Sequence, residues 1–438
     1  MITKRQDRRF ARPSGRPKGA AHGCAACKLS TLLLAAAFPA AALAGKATIV
    51  LHNDARIARP AETIVIPFAE VKQALPDVAF DQVIVRDDQG AVITSQVTAM
   101  KHIHRGPAAY DDLIFQVDFA AGAAREVVTI ETSATPQPPF PSKVSARHVP
   151  ERLDDFAWEN DLTAHRAYGP ALTQPVAAKD QMTSSGLDLW TKKVPYLVTD
   201  RWYRKGHDGL HADTGEGLDF YEVGRNRGVG GTGVWDGQQL FVSGNWHRYH
   251  IYANGPVRAI FDLAYEPWDA GSGVKVTETK RFIVDAGQQL DEVRSTFDFT
   301  PSPGSDGTLT VAIGLTEHPA SADVQVKRDE RGKFLAVWEA YENDPSHGEL
   351  GTGVLLAPEA KFAGFARTTP PAKGRPDSLL LVKVKPGETV RYFAGGAWQP
   401  AGKINTAGEW NAYLTAKAAR LAAPVRVEIN ATASPPAR

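Results

Sequence analysis

Between residues 149 and 172 the chain reads VPERLDDFAWENDLTAHRAYGPAL. Glu159, Asp161, His165 and Arg166 are crowded there against Phe156, Trp158 and Tyr168. Aromatic rings stack on the apolar faces of pyranose sugars, while carboxylates and guanidinium groups bond their hydroxyls or carboxylates. The same carboxylates and imidazole can move protons. An ion-pair knot fixing a domain junction would draw on the same residue types.

A second stretch, 190–236, supplies Trp190, Lys192, Trp202, Tyr203, His207, His211, Asp219 and Arg225, with glycines at 206, 209, 215, 217, 224 and 228. Long loops that are both aromatic and charged usually carry function rather than packing. His207 and His211 are four apart and could share a metal on a helix, but Gly206 and Gly209 disfavour that helix. Hydrogen-bonding or acid–base histidines are expected instead. His102 and His104 share a strand face without an evident third ligand, so no metal or cofactor is assigned. Gly228, Gly230 and Gly233 match GxGxxG, yet no βαβ unit surrounds them, and they read as tight turns near a ligand. In WHRYH, alternation places His247 and Tyr249 on one face. Glu278 and Lys280 align with Val274, Val276, Phe282 and Val284, an otherwise apolar face, so they must pair or line a polar cleft. No GxSxG nucleophile elbow is present.

The elements that must position these residues are mainly strands. A basic leader and the apolar run LSTLLLAAAFPAAALAG read as a secretory signal over 1–44, too short to span a membrane. The expected setting is therefore exported, periplasmic or secreted. Cys24 and Cys27, the only cysteines, lie inside that leader. Beyond it 42 basic residues face 48 acidic ones, a balance that argues against nucleic acid as partner. Residues 46–134 alternate as short strands, with Leu113, Phe115, Val117 and Phe119 on one face, and predict a small β-sandwich. The run TPQPPFPS opens a Pro-rich linker over 135–149. Residues 150–430 read as a many-stranded antiparallel domain. Its one firm helix starts at a Thr406/Glu409 capping box, and a last strand through Val425, Val427 and Ile429 follows. The fold class is all-β: a small sandwich, then a large supersandwich.

With VPERLDDFAWENDLTAHRAYGPAL, GLDLWTKKV and GEGLDFYEVGRNRGVGGTGVWDGQQL in hand, the chain resembles the exported bacterial domain of unknown function family 4861. The strand–turn–strand cadence KRFIVDAGQQLDEVRSTFDF resembles a hairpin of galactose-mutarotase-like supersandwiches. The resemblance implies a carbohydrate role and a setting similar to that of pectin and other uronate-polysaccharide breakdown.

The residues then suit an enzyme acting on a uronate-rich oligosaccharide. In β-elimination, Arg166, Lys192 or Arg225 would neutralise the uronate carboxylate while His165, His207 or Tyr203 takes the C5 proton. Hydrolysis would pair Glu159 with Asp161 or Asp219. Trp158, Trp202, His211, His247 and Glu278 complete the expected substrate contacts. A mutarotase-like epimerase and a sugar-binding protein without turnover are the other classes. An enzyme built this way loses turnover but not stability on Glu159→Gln or His165→Ala; loss of fold in both marks the ion-pair knot.

Overall fold

Alternating apolar residues form strands because successive side chains point to opposite faces, and one face must leave water. The computed structural model describes residues 45–100, 110–271, 273–318, 323–340, 344–370 and 374–431. The leader, both cysteines, His102 and His104 lie outside the described residues.

The first sandwich pairs two sheets. One runs Arg426–Ala431, Lys46–His52, Arg125–Thr132, Val83–Arg86, Val92–Ile93; the other runs Arg59–Pro67, Asp112–Phe119, Ser95–Thr98. Ile49, Leu51, Ile66, Leu113, Phe115 and Ile130 fill the space between them. The strand expected to close the large domain belongs here instead, with Val427 opposite Leu51 and Ile429 opposite Ile49. The physical reason is an unsatisfied edge: Lys46–His52 would otherwise present a free row of N–H and C=O groups. The second sheet's far face is pinned to the large domain by two glutamines. Gln96 Oε1 accepts from the Val257 and Arg258 amides, and Gln116 Nε2 donates to the Ala286 carbonyl at 2.8 Å.

The large part is two layers. One is an eight-stranded antiparallel sheet that begins at Trp246–Asn254 and ends at Gln325–Asp329. The other consists of two five-stranded sheets. The first runs Gly217–Leu218, Leu187–Lys192, Thr163–Ala167, Asp155–Glu159, Ser145–Val149; the second is built around Val229–Trp235 and Leu309–Thr316. Ser145–Val149 falls at the end of the span read as linker, where KVSARHV has left the prolines behind and can pair.

Between the layers Trp158 packs on Phe282 at 4.9 Å, and Phe282 stacks on Phe261 at 4.8 Å. The strand Phe334–Ala340 shows why its sequence is apolar from Phe334 to Trp338. Leu335 and Val337 face the inter-layer core, while Phe334, Ala336 and Trp338 face the helix Ala407–Ala422 through Trp410 and Leu414. Thr406 caps that helix by accepting from the Glu409 amide at 3.1 Å. The two five-stranded sheets meet where Gly228 bridges Leu187. Its φ is +59°, and a Cβ there would sit 2.0 Å from the Leu187 carbonyl oxygen. The GxGxxG glycines thus open a sheet strand and permit close backbone packing, rather than turning beside a ligand.

Candidate functional site

The five-stranded sheet around Thr163–Ala167 carries most of the sequence candidates, and its register divides them. Trp158 pairs with His165, Ala157 with Arg166, Arg166 with Asp188 and Ala164 with Trp190. Phe156, Trp158, His165, Leu187 and Leu189 therefore face the inter-layer core. Asp155, Glu159, Arg166, Asp188, Trp190 and Lys192 face the opposite side, under the short helices Thr199–Arg204 and Gly206–Leu210. Helix does form at Gly206, contrary to the sequence expectation; Gly206, at φ +75°, turns the chain between the two segments. Trp190, Trp202 and Val198 pack this cover onto the sheet.

Glu159 is consumed by that cover. Its Oε2 takes Lys192 Nζ at 2.8 Å, and its two oxygens accept the Val198 and Thr199 amides and the Thr199 hydroxyl at 2.6 Å. Both side chains are fully buried. The carboxylate caps the start of Thr199–Arg204 while neutralising a buried lysine, whose pKa burial lowers and Glu159 raises. The polar atoms of this pair are engaged by one another, by the Asn160 carbonyl and by the start of that helix, so the geometry gives Glu159 and Lys192 a structural task.

Arg166 sits at the centre of a different constellation. Its guanidinium lies 2.6 Å from Asp188, 3.4 Å from Asp219 and 3.8 Å from Asp155, between the rings of Tyr168 and Trp190. Three carboxylates around one cation cannot all be satisfied. The Oδ2 atoms of Asp155 and Asp219 and the enclosed Tyr203 hydroxyl have no hydrogen-bond partner among the described residues. Burial, opposed by Arg166, pushes Asp155 up to about 6. Burial and the neighbouring Asp188 hold Asp219 well above the ordinary carboxylate range. Burial likewise raises the Tyr203 phenol, so it resists acting as a base.

Asp155, Arg166 and Asp219 floor a cleft of about 300 Å³ that Arg152, Tyr168, His211, Phe220 and Tyr221 wall. His211 Nδ1 lies 2.6 Å from the Asp219 carbonyl oxygen and 4.0 Å from its carboxylate. Such a site offers a proton-holding carboxyl, a second carboxyl titrating near neutrality, and aromatic walls. Its placement depends on Gly217, the glycine just before the strand residue that leads into Asp219. At φ +118°, its Cβ would lie 2.0 Å from the Thr191 carbonyl oxygen. Gly217→Ala is expected to lower stability by at least about 1–3 kcal/mol, read by chemical denaturation; an unchanged midpoint would refute the close packing.

The other candidates lie elsewhere. His165 stacks on Trp158 at 5.3 Å within the core, and burial lowers its pKa to about 4. Trp158 donates to Asp291 at 2.7 Å, and Asp291 is pushed up by burial to about 7. Asp161 accepts from the Gly287 amide and lines a separate cleft of about 200 Å³ beside Lys193 and Trp398. Trp202 is buried, donating to Glu216 at 3.1 Å. Arg225 is exposed and does not line the main cleft. His247 is exposed on an edge strand, 3.7 Å from Glu266. Glu278 and Lys280 form a 2.7 Å ion pair in the inter-layer core, with Thr232 donating to Glu278 at 2.6 Å. The backbone of His207 lies in Gly206–Leu210. Sequence reasoning passed over Asp155 and Asp188 as site residues. The signal was present for Asp188, since alternation through GLDLWTK sets it on one face with Trp190 and Lys192.

Residues 51–427 match the family model described as Domain of unknown function (DUF4861), and the chain belongs to that family. It is 30% identical over 390 residues to Uncharacterized protein P7 of Formosa agariphila, covering 87% of this chain and 93% of that protein. Two solved structures from Enterococcus faecalis are also similar, an α-mannosidase and a protein in glycosyl hydrolase family 38. Each has a TM-score of 0.45 and covers 88% of this chain, at 12% and 11% identity. The chain spans about half the length of those two structures, 46% and 47%.

Proposed function

We propose that this member of the DUF4861 family is an exported carbohydrate-active enzyme that cleaves glycosidic bonds by acid–base chemistry in the Arg166 cleft. The observation that carries the reading is the pair Asp155 and Asp219, two carboxyls with unbonded oxygens and raised pKa values at one cleft floor. Asp219 holds its proton and serves as the acid to the leaving oxygen; Asp155 ionises first and serves as base or nucleophile. Arg166 fixes Asp188 and limits the repulsion among the three carboxylates. Tyr168, Phe220 and Tyr221 offer ring faces to a sugar.

Elimination is less well served. His165 lies on the other face of the sheet, the Tyr203 phenol is raised, and Arg166 is already engaged by three aspartates. The approach of His211 to Asp219 favours a second reading, an epimerase exchanging protons at the anomeric carbon.

The test incubates the protein with polysaccharides and oligosaccharides of varied charge. New reducing ends support cleavage by hydrolysis, an unsaturated ultraviolet chromophore replaces it with elimination, and faster mutarotation without cleavage replaces it with epimerisation. For the hydrolase, kcat/KM should rise as pH climbs through about 6, where Asp155 ionises, and fall at higher pH as Asp219 loses its proton. A rate flat from pH 5 to 9 would remove both carboxyls from the mechanism.

A further inference from the structure

The eight-stranded sheet has an outer face, turned away from the inter-layer core that holds Phe282 and Val293. There Arg281 pairs with Arg294, and Arg294 pairs with Arg391, so three arginines stand side by side on consecutive strands. Like charges directly opposite one another weaken a sheet. The sequence offsets them: Asp262 takes Arg281 at 2.7 Å, Glu292 serves both Arg294 at 2.6 Å and Arg391 at 3.1 Å, and Glu359 takes Arg391 at 3.2 Å.

The helix Ala407–Ala422 then lowers two more cations onto the same space. Among the described residues Lys417 Nζ hydrogen-bonds only the Gln288 amide oxygen, at 3.2 Å, and lies 5.2 Å from the centre of the Phe393 ring. Arg420 is 6% exposed, and its Nε is buried without a hydrogen-bond partner. Neither has a carboxylate within ion-pair reach among the described residues. With Arg258, which Asp285 holds at 2.6 Å, these groups bring six cations to a cleft of about 520 Å³ between the helix, the long sheet and the first sandwich, four of them paired with carboxylates and Lys417 and Arg420 not. An unpaired guanidinium under cover is costly unless something else supplies the anion.

We propose that this cleft is an accessory binding site for a carboxylate-bearing oligosaccharide, separate from the Arg166 cleft. The saccharide part rests on the carbohydrate reading above; the anionic part rests on the arginines alone. Guanidinium forks match carboxylates two bonds at a time. Neighbouring strands are about 4.8 Å apart, so the arginine row repeats at roughly the length of one sugar ring. That spacing suits acidic groups repeated along a chain better than one small anion. The site would hold an acidic polymer against the enzyme while its linkages are worked on at the Arg166 cleft.

The test is calorimetric titration of the full chain with tetragalacturonate, and with a neutral maltotetraose of equal length. Arg294 is 47% exposed, so Arg294→Gln leaves the fold intact; Lys417→Gln provides a second variant, and Lys417→Arg a conservative rescue. Tetragalacturonate should bind, with affinity falling about tenfold in either Gln variant, recovering in Lys417→Arg and weakening with added salt. Asp219→Asn should bind it as tightly as the parent. Absence of binding, equal affinity in the Gln variants, or equal binding of maltotetraose overturns the proposal. Variant-sensitive binding in a protein that turns over no carbohydrate would overturn the catalytic reading and leave this one standing.

Discussion

Asp219→Asn is expected to lower kcat by about 10²–10⁴-fold, the usual contribution of a positioned general acid, while the melting temperature at pH 7 holds or rises. The carboxyl binds its proton more tightly in the folded chain than in the unfolded one, because burial and Asp188 oppose its ionisation. A raised carboxyl pKa opposes folding as pH climbs above the ordinary carboxylate range. Asparagine keeps the shape, cannot ionise and removes that penalty, yet has no proton to give. Turnover with unchanged kcat would show that Asp219 is a structural carboxyl. Collapse of the fold would show that its contact with Arg166 outweighs its desolvation.

Glu159→Ala is expected to act in the opposite way, costing about 3–5 kcal/mol of stability, the range for breaking a buried ion pair from one side. The lost carboxylate strands Lys192 in a fully buried position and removes the acceptor for the Val198 and Thr199 amides. The denaturation midpoint reads the effect directly, and activity falls in step with the folded fraction. Replacing Glu159 and Lys192 together by methionine should recover much of the loss, since no charge then remains buried. A Glu159→Ala protein as stable as its parent, but inactive, would return this residue to the reaction. On this reading the ion-pair knot belongs to Glu159 and the proposed chemistry to a neighbouring set.

The difference between those two residues marks how far the sequence could be read. Alternation in Asp112–Phe119 and the Thr406/Glu409 cap are local, and both elements form where the pattern places them. Family membership and the all-β architecture were equally accessible, because motif spelling and strand punctuation do not depend on which strands pair. The site depends on that pairing. His165 and Arg166 are neighbours that alternation must separate, but only the register to Trp158 and Asp188 tells which one enters the core. Glu159 meets Lys192 from 33 positions away across an intervening strand. Alternation does group Asp188 with Trp190 and Lys192, but only the pairing with Arg166 shows that this face carries the carboxylate cluster. The three in-register arginines come from three separate strands, so no local motif announces them.

The pairing of Lys46–His52 with Arg426–Ala431 separates the order of synthesis from the order of assembly. His52 meets Glu428 across 376 positions, so Lys46–His52 must wait for Arg426–Ala431 before that edge is covered. Until then an apolar strand with open hydrogen-bonding groups is available to other chains, the condition under which nascent β proteins aggregate. Contacts between such distant positions also carry a large loop-closure cost, which slows folding. A chain stopped just short of Arg426 would retain both of its clefts' sheet residues while leaving its first sheet open. Synthesis of the large domain thus precedes completion of the small one: the first sandwich closes only after the residues between its two distant strands have been made.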